Sequence, residues 1–278
     1  MKRFFLIALI LTSVTLFAEG PQPTPQEIIA KYLASIGTPE ARKSVEYYEW
    51  LGKATVRSLR GGNEAPGTAT LISEGDKVKF ALKFNTQIYP DEQVVYDGRN
   101  VQTSFVRPGE RSPLGQFLWW RKEIVSDGLL GGPLSVASPL YDPKLHGGSI
   151  SFKGLKKVDG KDLYQLSYRP KKADSSLEIT MYFDPATFHL IRVNYDVKAP
   201  PRLEENATQA GTGLWAKNDQ QQNAYFHLQE DFGDYTQLGN LTLPLQQKMN
   251  FSADGAVTES WFWQIDYTTV NGNKIPGR

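Results

Sequence analysis

The spacing of apolar residues changes once along the chain. In the stretch that starts at Pro25 it is helical, with Ile28, Ile29, Tyr32, Leu33 and Ile36 on one face. Thr24 precedes Pro25 and Glu27 follows three residues on, which makes a capping box with proline at the first helical position, and Gly37 supplies the stop. Thr38-Pro39-Glu40 repeats the start signal for a short second turn. From Gly52 onward the period is two. The clearest run is 77–84, where Val78, Phe80, Leu82 and Phe84 alternate with Lys77, Lys79, Ala81 and Lys83, so one face is apolar and the other largely cationic. Residues 67–74 pair with it across Gly75-Asp76. Further strands are expected at 94–96, 101–106, 149–153, 163–169, 177–183, 191–197, 226–232, 245–251 and 257–268, with turn signals at Asp97-Gly98, Asp159-Gly160 and Asp184-Pro185. About eleven strands with mostly short connections predict an α+β chain built on one meandering antiparallel sheet.

Two stretches break that rhythm. Ser112-Pro113 reads as cap and first turn, and Phe117, Leu118, Trp119 and Trp120 then form a bulky apolar cluster. Leu129-Leu130-Gly131-Gly132-Pro133-Leu134 follows, apolar and without strand alternation, so residues 117–140 are expected as short helices lying across the sheet. An open sheet with one apolar face must cover that face or close on itself. With so little helix, the pattern is compatible with a strongly curved sheet that encloses an apolar concavity and equally with a well-packed core that has no cavity. Residues 199–223 are polar and open on Pro200-Pro201, the pattern of a surface loop insertion rather than a domain boundary.

Lys2 and Arg3, the mostly apolar run 4–17 and the small residue Ala18 predict a cleaved secretory signal peptide over residues 1–18. Residues 19–278 are then expected as a single exported domain. A net charge of +1 offers no broad electrostatic footprint for nucleic acid. With no cysteine there is no disulfide, thiol nucleophile or lipid-modified cysteine. His146, His189 and His227 show no metal-ligand spacing, and no Gly-x-Ser-x-Gly elbow or phosphate-binding glycine pattern occurs. The residues thus point to no catalytic group, metal or cofactor. Scattered carboxylates leave a secreted hydrolase as a distant alternative.

The order of elements resembles the outer-membrane lipoprotein-sorting family, the periplasmic LolA and LolB carriers. The matching pieces are the amphipathic opening helix, the strand at 52–56 and the hairpin Val94-Val95-Tyr96-Asp97-Gly98-Arg99-Asn100-Val101. They continue with Gly128-Leu129-Leu130-Gly131-Gly132, Val158-Asp159-Gly160-Lys161, the Asp184-Pro185-Ala186-Thr187 turn and Leu243-Pro244. The turn Glu74-Gly75-Asp76 departs from the Arg-Pro pair of LolA carriers. The resemblance implies a curved, half-open antiparallel β-barrel with helices covering the apolar concave face. It also implies a non-enzymatic periplasmic carrier, without cofactor, whose partners are an acyl lipid or lipoprotein and membrane-bound donor and acceptor proteins. On that reading Val78, Phe80, Leu82, Phe84, Tyr96 and Phe105 are candidate cavity wall, and Trp119, Trp120, Leu129 and Leu130 candidate lid. A sensor or adaptor domain like that of the sigma-factor regulator RseB, binding a protein or lipoprotein signal, is the alternative within the same half-barrel class.

Overall fold

A computed structural model describes residues 22–58, 63–87, 89–141, 147–199, 224–254 and 256–277. The expected leader, His146 and all of the polar insertion except Ala199 lie outside them. Helix α1 (Pro25–Ile36) carries the anticipated capping box: Thr24 Oγ accepts from the Glu27 amide, and the Glu27 carboxylate accepts from the Thr24 amide at 2.7 Å. Its apolar stripe is buried at Ile28, Ile29, Tyr32 and Ile36. The second start signal forms α2 (Pro39–Lys43). No helix among the described residues is long and apolar enough to cross a membrane.

The strands then run as two meanders. The first is β1 (Tyr47–Ser58), β2 (Glu64–Glu74), β3 (Lys77–Phe84), β4 (Asp91–Tyr96) and β5 (Val101–Thr103). The second is β6 (Ser149–Val158), β7 (Lys161–Arg169), β8 (Leu177–Phe183), β9 (Leu190–Ala199), β10 (Ala224–Leu238), β11 (Leu241–Ala253) and β12 (Ala256–Val270), with β13 (Asn273–Pro276) folded back onto β12. All pairings are antiparallel, in the order β5-β4-β3-β2-β1-β12-β11-β10-β9-β8-β7-β6. The sheet is not closed: β5 and β6 are its two ends. Among the described residues the sheet has thirteen strands against the expected eleven, the difference arising partly through β13, four residues with no apolar alternation to signal it. Strand β1 also starts at Tyr47, five residues before the expected change of period at Gly52.

The two meanders join where β1 pairs with β12, a contact between residues more than 200 positions apart. The register shifts between Leu51 and Gly52. There the strands approach so closely that a Cβ on Gly52 would overlap the Gln264 carbonyl oxygen. Gly52→Ala is therefore expected to disrupt the seam and cost about 3 kcal/mol or more in urea unfolding. Gly75→Ala tests instead a turn where a Cβ would meet nothing within 4 Å. Its φ of +57° leaves only backbone strain, so it should cost about 1 kcal/mol.

Candidate functional site

Alternation decides which residues line the interior. Strand β3 turns Val78, Phe80, Leu82 and Phe84 inward and its lysines outward. Strand β10 buries Phe226, Leu228, Glu230 and Phe232, and β12 buries Glu259, Trp261, Trp263 and Ile265 while Phe262 faces out. Helix α1 covers part of this face, with Tyr32 edge-on to Phe183 of β8 at 5.5 Å.

Residues 112–141 cover another part as one irregular strap. It contains α3 (Pro113–Trp120), α4 (Lys122–Ser126) and a single 3₁₀ turn at Gly132–Leu134. Ser112 caps α3 by accepting from the Gly115 amide at 2.8 Å, and Pro113 fits the first turn. Leu114, Phe117, Leu118, Ile124, Val125, Leu129, Leu130 and Leu134 are at most 2% exposed. The Phe117 ring lies 5.3 Å from Phe251 and 6.4 Å from Phe226. At Gly132 the backbone is left-handed (φ +46°) and a Cβ would come within 2.7 Å of the Phe232 ring, so only glycine fits the turn against β10.

Buried carboxyl groups hold the strap at two points, its start at Ser112 and the turn at Leu129–Gly131. At the first, Glu92 of β4 accepts from Ser112 Oγ at 2.5 Å and from Tyr89 Oη. At the second, Glu230 Oε1 accepts from the Gly131 amide at 3.0 Å and from Gln247 Nε2 at 2.6 Å. Tyr195 Oη lies 2.7 Å from Glu230 Oε2 and 2.9 Å from the Leu129 carbonyl. A hydroxyl has one proton to donate, so when Tyr195 donates to Leu129, a protonated Glu230 completes the chain by donating to Tyr195. Burial raises both glutamates to about 7, against the opposing pull of those hydrogen bonds. Beyond the second point, Trp50 Nε1 donates to the Leu134 carbonyl at 2.9 Å, and Ser73 Oγ accepts from the Val136 amide at 3.1 Å.

The structure divides the residues marked in the sequence. Phe80, Leu82, Phe84, Leu129 and Leu130 are buried in one continuous core, Tyr96 packs partly buried against it, and Val78 is buried but stands apart from that cluster. Trp120 is half-buried, edge-on to Phe226 at 6.0 Å under the Arg121 guanidinium. Phe105 (49% exposed) and Trp119 (38%) stand outside, where Arg111 stacks on both and Lys122 approaches Trp119. Glu92, Glu230, Trp261 and Trp263 were not marked, although alternation signals each: Glu230 stands at the inward phase of Phe226, Leu228 and Phe232. Of the histidines, His227 Nδ1 meets Asp196 at 2.8 Å, which raises its pKa, and His189 stacks on Tyr235, its pKa lowered by burial. The outer face of the same strands bears a separate polar depression of about 490 Å³ lined by Thr55, Arg57, Glu64, Lys248, Asn250, Ser260 and Phe262.

No family model matches the chain, and no curated protein matches it in sequence. Solved structures similar to it include a LolA superfamily protein from Nitrosomonas europaea (8% identity, TM-score 0.46, covering 89% of this chain and 93% of that one). A second is an outer membrane lipoprotein-sorting protein domain from Vibrio parahaemolyticus (13%, 0.44, 87% and 93%). A third is a DUF1329 family protein from Desulfovibrio piger (10%, 0.42, 88% and 92%).

Proposed function

We propose that the protein is a non-enzymatic periplasmic carrier, a half-open barrel that takes up the acyl chain of a lipid or lipid-modified protein against its apolar sheet face. One observation carries the reading: among the described residues, much of that face is covered by a single irregular strap held at its start and at Gly131 by buried carboxyl groups. Such a strap can be displaced as a unit, and an acyl chain can then replace its leucines and phenylalanines on the sheet. Each buried methylene contributes about 0.8 kcal/mol, so a chain of ~14 gains roughly 11 kcal/mol, enough to hold a lipid away from a membrane. Residues such as Leu82 and Leu130 are then ligand contacts as well as core. The order of motifs along the chain, which resembles the lipoprotein-sorting carriers, supports the same reading.

Native mass spectrometry and organic extraction of protein purified from its own compartment test it. An acyl compound should travel with the chain. Leu82→Glu and Leu130→Glu should lower its recovery at least tenfold while circular dichroism confirms folding. Protein that carries no acyl compound and binds no fluorescent fatty acid would end the carrier proposal. A stoichiometric protein partner in place of lipid would favour the sensor alternative.

A further inference from the structure

Among the described residues three tryptophans are fully buried, Trp50, Trp261 and Trp263. Trp50 donates its indole N–H to the strap. The indole N–H groups of Trp261 and Trp263, both 2% exposed, have no hydrogen-bond partner among the described residues. They stand two residues apart on the inward face of β12. Gln247, directly opposite Trp263 on β11, gives its amide N–H to Glu230 and leaves its Oε1 without a partner among the described residues. Buried polar atoms are almost always paired, and those that are not call for an occupant.

The surroundings say what kind of occupant. Gln247, Trp263, Ala54, Gly67 and Phe84 form one row across β11, β12, β1, β2 and β3. Ala54 and Gly67 are the small residues of the row, and the Phe84 ring lies over Gly67. Phe80 lies 6.0 Å from Trp263, and Tyr89 lies 6.0 Å from Trp261 and 5.8 Å from Phe84. The setting is largely apolar and aromatic, with two donors and one acceptor at its polar end; the carboxyl groups beside it are Glu230, already bonded to Gln247, and Glu259, buried two residues before Trp261.

We propose that Trp261, Trp263 and Gln247 form the polar end of the ligand site, where the indole N–H groups donate to the carbonyl oxygen of an acyl ester or amide and Gln247 Oε1 accepts from its neighbouring hydroxyl or N–H. This assignment rests on the carrier reading and narrows it: the site selects acyl compounds over plain alkyl chains of equal length.

The test compares monomyristoyl glycerol with its alkyl ether counterpart, which lacks only the carbonyl, by isothermal titration against the full-length protein. The ester should bind about tenfold tighter or more, a difference of 1.4 kcal/mol per factor of ten. Trp263→Phe, which keeps an aromatic ring and removes the N–H, should narrow the ratio of ester to ether affinity toward one. Equal affinity of the unmodified protein for both ligands would overturn the assignment alone, leaving the indoles to ordered water. Retained ester preference in both Trp261→Phe and Trp263→Phe would also overturn it. Binding of neither ligand would overturn the carrier reading and this site together.

Discussion

Glu230→Gln is expected to stabilise the protein above neutral pH by on the order of 3 kcal/mol and to leave it unchanged near pH 4.5. The carboxyl is fully buried and raised to about 7 from an ordinary 4.5, so the native state holds a proton that the unfolded chain releases across that interval. Because the native state binds more protons, stability is greatest below pH 4.5 and falls as pH rises to about 7. Glutamine copies the protonated form. Its oxygen accepts from Gly131 and Gln247, and its amide donates to Tyr195, whose own proton goes to the Leu129 carbonyl. The substitution therefore removes the penalty without removing the anchor. Glu92 adds a second slope of the same sign. His227, raised by Asp196, acts in the same direction, whereas His189, lowered by burial, opposes it. Urea unfolding of the unmodified protein and Glu230→Gln from pH 4.5 to 8.5 isolates the contribution of Glu230. Parallel profiles would show that Glu230 does not change its protonation on folding.

Phe117→Ala should cost about 3–5 kcal/mol, the range for truncating a fully buried phenylalanine. The ring touches Phe226 and Phe251, and the rigid strands beneath it cannot collapse into the space left. Phe117→Leu should cost far less, because it retains most of the volume. The loss falls on the strap's hold over the sheet, so Phe117→Ala should also raise binding of an apolar dye under native conditions. Trp119→Ala and Phe105→Ala make the contrast. Both side chains stand outside the core, and each substitution should stay within about 0.5 kcal/mol. Denaturant midpoints of the four variants give the comparison, and a large loss at Trp119 would show that it packs inside.

The difference between Trp119 and Leu130 explains where sequence reading stops. Both belong to bulky apolar clusters, and apolarity alone marks them equally as lid. For Trp119 burial depends on which way α3 rolls against β10 and β11, and local periodicity is too short to set that over eight residues; Leu130 lies beyond α4, in the turn that Glu230 and Tyr195 hold against β10 and β9. Trp261 and Trp263 were legible as strand residues. Their unpaired indoles became visible only once the register put Gln247 and Ala54 beside Trp263.

The chain's own pattern determined the helix with its capping box, the alternation that makes one face of each strand apolar, and the irregular middle that had to lie across them. Each is local, set by residues within a few positions of one another. Tertiary structure alone decided the β1–β12 seam, which carboxyl groups anchor the strap, and which aromatic side chains face in. Those depend on contacts between residues tens to hundreds of positions apart. The free energy of burying a glutamate or an indole is defined only by the groups that the fold brings around it.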